Sequence, residues 1–231
     1  MRWDVYAKAI PELISAVPVT LHLAVVALLA GFCLAVLIAA ARLSGMRLLS
    51  GVAYGYVYVI RGTPLLVQIF FLYYGVGQFE AVRLSPFWPV LREAYWCALI
   101  ALSLNTAAYG SEIIRGGLLA VPAGQIEAAK AFGLSSMKRF RLVVFPQAVR
   151  VMLPAYGNEL ILLIKATSLA STITIIELTG QARTLASETY APVEVFISAG
   201  AIYLALNGLS TLSLQAIEAR LKRRGGLAMQ G

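Results

Sequence analysis

From Ala16 to Ala41 the chain runs for 26 residues without an Asp, Glu, Lys or Arg. About 20 mostly apolar residues in a helix cross a bilayer core about 30 Å thick. The run is therefore long enough to span a membrane, and too long for the apolar core of a cleaved signal, about 7 to 15 residues. Its closing Ala39-Ala40-Ala41 fits a signal-peptidase pattern, but the length argues for a helix that is retained.

The same ruler finds two more clear spans, 94–111 and 192–214. Two further segments qualify with polar interruptions: 51–77, broken by Arg61-Gly62-Thr63-Pro64 and Gln68, and 151–176, which holds Asn158, Glu159 and Lys165. Five transmembrane helices define an all-α integral membrane protein. Composition agrees, since 60% of the chain is hydrophobic and 13% charged, against about 25% charged in a soluble domain.

Five crossings put the termini on opposite faces, and Lys and Arg gather on the cytoplasmic side. Arg42 and Arg47 follow the first span. Arg115, Lys130, Lys138, Arg139, Arg141 and Arg150 occupy the long segment 115–150, and Arg220, Lys222, Arg223 and Arg224 lie in the tail, 217–231. On the other face Arg2, Lys8, Arg83, Arg92 and Arg183 are balanced by Asp4, Glu12, Glu80, Glu93 and Glu188. The predicted orientation has residues 1–15 outside and the tail inside. The net charge of +8 is then topogenic, and with no basic face interleaved with aromatics nucleic acid is not an expected partner.

Cys33 and Cys97 sit in different apolar runs and His22 is the one histidine, so neither a disulfide framework nor a metal site is expected. For the same reason no Ser/His/Asp set or other catalytic constellation can be assembled. The chain also lacks any Gly-Lys pair, and with it the phosphate-cradling G-x-x-x-x-G-K-[ST] loop.

The inner segment reads as two short helices. Helix formers from Ala123 to Phe132 end at Gly133, suited to the left-handed position after a helix, Ser135 or Ser136 can cap the next helix, and Pro146 constrains the approach to the fourth span. Glu127-Ala128-Ala129, three residues, Gly133, nine residues and Val143-Val144-Phe145-Pro146 together resemble the E-A-A-x3-G-x9-I-x-L-P loop of ABC importer membrane subunits, with Val and Phe replacing Ile and Leu. Arg61-Gly62-Thr63-Pro64-Leu65-Leu66-Val67-Gln68, Leu104-Asn105-Thr106-Ala107-Ala108-Tyr109 and Lys165-Ala166-Thr167-Ser168-Leu169 extend the likeness over nearly the whole chain. It is similar to the polar amino-acid branch of that family, and within it to the M-type permeases of histidine, basic amino-acid and opine (octopine, nopaline) uptake systems.

The resemblance implies a type I ABC importer transmembrane domain over residues 16–216, in a bacterial inner membrane with the N-terminus periplasmic. It implies a second homologous permease chain, two cytoplasmic ATPase subunits that use ATP and Mg and dock on the inner loops, a periplasmic substrate-binding protein, and an amino-acid substrate. This chain itself would bind no cofactor. The expected coupling residues are Glu127, Ala128, Ala129, Gly133 and Pro146.

Ionisable groups inside spans are costly, which singles out Glu159 and Lys165. By resemblance the segment Lys165 to Ser168 is an interrupted stretch of helix beside the substrate cavity, with Lys165, Thr167 and Ser168 as pathway residues. Many relatives carry an acid where this chain has Ala166, so a preference for a cationic side chain is not carried over. Lys165 has a second reading as the partner of a carboxylate on the other permease, and Glu159 a second reading as structural. Asn105 faces either substrate or a neighbouring helix, and Thr63 and Gln68 are weaker candidates beside a kink at Pro64. A rival reading is an ion-coupled secondary amino-acid transporter working through Glu159 and Lys165, which would have no need of the inner loop.

Overall fold

The computed structural model describes residues 2–226. Of the tail that sequence reading made cytoplasmic, 227–231 and the side chains of Lys222, Arg223 and Arg224 lie outside what is described. Eleven α-helices follow one another: α1 (Trp3–Leu43), α2 (Arg47–Gly62), α3 (Leu65–Phe70), α4 (Glu80–Arg83), α5 (Trp88–Leu91), α6 (Ala94–Leu119), α7 (Ala123–Ala131), α8 (Ser136–Arg139), α9 (Phe145–Ala166), α10 (Leu178–Thr189) and α11 (Pro192–Gly226). A π-helical turn, Phe71–Gly75, continues α3, another, Phe140–Val144, leads into α9, and a 3₁₀ segment, Thr167–Ile173, continues α9.

Among the described residues three helices are long and apolar enough to cross a membrane alone, and two bent pairs bring the number to five if each is one span. The first pair bends by 104° between Arg47–Gly62 and Leu65–Gln78, the second by 50° between Ser136–Ile173 and Leu178–Thr189. These bends fall in the two segments whose apolar runs carry polar interruptions.

α1 starts well before the apolar run that marks it in sequence. Residues 1–15 carry Asp4, Lys8 and Glu12, which hide the helix from a hydropathy scan, yet Val5, Ala9 and Leu13 form one stripe buried against Leu178, Leu185 and Val195 of α10 and α11. Further along, Ala24, Ala27, Gly31, Ala35 and Ala39 repeat at helical spacing and face α6. Small residues let two membrane helices approach until their backbones nearly touch, because association in lipid depends on packing rather than on the hydrophobic effect. A Cβ on Gly31 would stand 2.8 Å from Thr106 Cβ, too close to accommodate without movement. One end of this seam is locked by Glu112 of α6, which pairs with Arg42 of α1 at 3.4 Å and with Arg115 at 2.7 Å.

Each bend strips hydrogen bonds from the backbone, and the chain replaces them with side chains. Pro64 has no N–H, so Ile60 O loses the donor that would serve it in a continuous helix. Gln68 Nε2 takes that place at 2.8 Å and also donates to Thr63 O at 3.1 Å and Thr63 Oγ1 at 3.0 Å, while Thr63 Oγ1 donates to Val59 O at 2.9 Å.

At the second bend Thr174 takes a left-handed backbone (φ 71) and α10 must begin inside the protein. Glu177, fully buried, accepts from Gly180 N at 2.9 Å, and Thr20 Oγ1 of α1 accepts from Leu178 N at 3.1 Å. Tyr203 of α11 donates to the same carboxylate at 2.8 Å. Two of the four N–H groups left free at a helix start are thereby met.

Replacing Gln68 by leucine would keep the volume and leave Ile60 O with only the long 3.5 Å contact from Thr63 Oγ1, a cost of about 1 kcal/mol. The Gln68→Leu protein in detergent is expected to unfold at a lower temperature than the parent. An unchanged midpoint would mean that the bend does not need this brace.

Candidate functional site

The end of α2, the middle of α6 and the second half of α9 enclose a polar cavity of about 470 Å³. Arg61, Thr63, Asn105, Thr106, Tyr109 and Glu159 are the polar residues of its wall. The Pro64 bend makes the opening, because α2 stops there and α3 leaves at a steep angle.

Glu159 is buried, at 8% exposure, and among the described residues its carboxylate has no hydrogen-bonded side chain and no ion pair within 4.0 Å. The cation sharing the cavity is Arg61, whose guanidinium lies over the Tyr109 ring at 4.9 Å from its centre. Asn105 donates to Gln68 Oε1 at 3.4 Å, which ties the cavity wall to the brace of the bend. Thr106 Oγ1 is buried without a partner among the described residues. A cavity with a carboxylate, a guanidinium and an amide can receive a ligand that carries charges of both signs.

Of the residues singled out in sequence, Thr63, Asn105 and Glu159 come together here, and Gln68 stands directly behind them. Lys165, Thr167 and Ser168 do not line this cavity. Thr167 Oγ1 is buried and donates to Ile164 O at 2.7 Å, Ser168 Oγ donates to Lys165 O at 2.6 Å, and both occupy the turn where α9 tightens into 3₁₀ geometry. Lys165 is exposed and has no acidic partner among the described residues. Ala166 does reach the cavity.

Arg61, Thr106 and Tyr109 are cavity residues that sequence reasoning did not list as pathway candidates, although all three fall in the quoted motifs. Glu177 was missed altogether: it follows the fourth apolar run and reads as loop. His22 hydrogen-bonds Tyr95 on α6 at 2.8 Å.

A second constellation lies on the inner segment. α7 closes with Leu134 N bonded to Ala129 O at 3.1 Å, Gly133 N to Lys130 O at 3.0 Å, and Gly133 at φ +74. This pair of bonds around a left-handed glycine is the Schellman ending. No atom lies within 4 Å of where a Gly133 Cβ would be, so the backbone angle, and not space, calls for glycine.

The alanine pair divides, Ala129 buried and Ala128 exposed beside exposed Glu127. Phe132, at 86% exposure, stands out at the tip. Ser135 precedes α8, but neither it nor Ser136 caps the helix: no side-chain cap bond forms, and Ser136 Oγ instead accepts from Arg139. Pro146 sits in the first turn of α9, and the turn before it widens so that Phe145 N bonds Phe140 O.

An all-helical membrane domain with broken spans, a polar cavity at a break and a helix-glycine-helix loop at one end has the architecture of a transporter's membrane subunit. Residues 27–223 match the family described as "Binding-protein-dependent transport system inner membrane component", and the chain belongs to it. It is 59% identical over 198 residues to the nopaline transport system permease protein NocM of Agrobacterium fabrum, covering 85% of this chain and 82% of that one. To the octopine transport system permease protein OccM of Rhizobium meliloti it is 55% identical over 206 residues, 89% and 84% of the two chains. The crystal structure of an amino acid ABC transporter with histidines superposes with a TM-score of 0.84 at 36% identity, over 93% of this chain and 96% of that one. The fold is a type I ABC importer transmembrane domain, and the protein is an inner-membrane component.

A β-branched residue at Gly133 would be strained by about 1–3 kcal/mol, whereas asparagine visits the left-handed region readily. Gly133→Val is expected to speed hydrogen exchange of the Gly133 and Leu134 amides about tenfold or more, and Gly133→Asn to leave it within about threefold. Equal exchange in both variants would show that the turn does not depend on this angle.

Proposed function

We propose that this chain is the permease subunit of an ATP-driven importer for a polar amino acid, of the basic or opine class, and that the cavity around Glu159 is its substrate pathway. The observation that carries this reading is the cavity itself, in a chain of this family: a buried carboxylate without a partner among the described residues shares it with a guanidinium and an amide. Nopaline and octopine carry both a guanidinium and carboxylates, and any amino acid carries an ammonium and a carboxylate. In this reading Glu159 receives the cationic end, and Arg61 and the Asn105 amide the carboxylate end. Lys165, Thr167 and Ser168 belong to the same pathway at a level where a second permease chain completes it.

ATP and Mg are handled by two ATPase subunits that dock on Glu127, Ala128, Ala129 and Gly133, with Phe132 entering a groove on their surface. A substrate-binding protein delivers the amino acid from the periplasm, the face on which the N-terminus lies. Pro146 and Glu159 stand thirteen residues apart on one helix, about 20 Å of rise. Movement of the loop is delivered to the cavity along α9, which carries Pro154 between the two positions, and access alternates between two states that ATP binding biases.

The test is uptake by vesicles holding the complete transporter with ATP inside and binding protein outside. The parent takes up labelled arginine or an opine. Glu159→Gln, which keeps the shape and removes the charge, is expected to raise KM about 10- to 100-fold, the loss of a charge-assisted hydrogen bond, while ATP hydrolysis without substrate stays near the parent rate. An unchanged KM would remove Glu159 from the pathway.

A further inference from the structure

A second polar pocket, of about 520 Å³, lies where α1 turns into α2. α1 ends at Leu43, Gly45 takes φ +73, and α2 starts at Arg47, so the reversal sets Arg42 and Arg47 on two sides of one hollow. Arg115 of α6 forms a third side, and Ser50 and Tyr54 of α2 complete it.

Three guanidiniums around one hollow repel one another unless anions intervene. One carboxylate does so from within the chain: Glu112 holds Arg42 and Arg115. The guanidinium of Arg42 is held further by the Tyr54 ring, 4.8 Å from its centre. Arg47 is exposed, and among the described residues it has no acidic partner. The hollow thus carries an excess of two positive charges, with two of its arginines fixed in place and the third free.

The turn lies on the face that the Lys and Arg bias assigns to the cytoplasm, where the leaflet surface is rich in anionic lipid. The next turns of α2 carry Leu48 and Val52 outward at 83% and 66% exposure, an apolar strip that runs away from the pocket along the helix. Guanidiniums bind phosphate oxygens in forked pairs, and basic pockets between membrane helices on this side take lipid head groups. We propose that this pocket binds the phosphate of an anionic phospholipid, with Arg47 closing over the head group, Arg42 and Arg115 below it, and an acyl chain along Leu48 and Val52. The bound lipid neutralises the charge excess and pins the α1–α2 turn to the α6 end of the seam.

The experiment exposes the complete transporter, in mild detergent, to equal amounts of phosphatidylglycerol and phosphatidylcholine with the same acyl chains, and counts retained lipids by mass spectrometry. The parent is expected to prefer phosphatidylglycerol, Arg47→Gln to lose about fivefold of that preference, and Arg47→Lys, which keeps the charge, to retain most of it. Arg220→Gln, an exposed arginine elsewhere, should leave it unchanged. The preference should also survive excess inorganic phosphate. No preference in the parent, or an equal loss in Arg47→Gln and Arg220→Gln, would overturn the site. Displacement by inorganic phosphate would overturn the lipid assignment in favour of a soluble phosphate compound.

Discussion

A backbone carbonyl or N–H in hydrocarbon has no water to turn to, and each one left unpaired costs several kcal/mol. The architecture of this chain follows from where it breaks its helices in spite of that cost. Pro64 removes the donor of Ile60 O, and the Gln68 amide supplies another. Thr174 ends one helical stretch, and Glu177 with Thr20 meets the first N–H groups of the next. The polar side chains at the breaks stand in for water, and they serve the backbone where α2 gives way to α3 at 104°. Without the first bend α2 would continue straight on and the space beside α6 and α9 would close.

The rest of the domain holds those bends still. α1 and α6 meet along a seam of Ala and Gly too tight for a Cβ at Gly31, and Glu112 clamps one end of it. α10, the second broken piece, is gripped by the first turns of α1 and by α11. Against this frame α9 carries the proposed division of labour on one helix: the loop residue Pro146 in its first turn, the cavity residue Glu159 farther along, and a 3₁₀ turn at its end. A secondary carrier would have no use for a Schellman-closed loop with an exposed Phe132 at its tip.

Much of this was legible in sequence because it rests on local chemistry. The three long apolar helices follow from hydropathy, the bend from Pro64, and the loop turn from Gly133, since proline and left-handed glycine act through the backbone itself. What hydropathy concealed was tertiary. Asp4, Lys8 and Glu12 lower the mean over the first turns of α1, although the buried stripe of Val5, Ala9 and Leu13 keeps helical spacing. Glu177 looked like a loop residue because its partners Thr20 and Tyr203 are about 157 and 26 residues away. Arg61 and Tyr109 form a pair only because α2 packs beside α6, a contact between residues far apart in the chain. Lys165, which insertion cost singles out together with Glu159, lies away from the cavity that Glu159 lines.

The central claim is that the break at Pro64 opens the substrate site between α2, α6 and α9. Electron cryomicroscopy of the complete transporter with its amino acid bound tests it most directly. The account predicts ligand density in contact with Glu159 and Asn105 and within reach of Arg61. Density bounded instead by Lys165 and Ser168, with the Glu159 cavity empty, would contradict it.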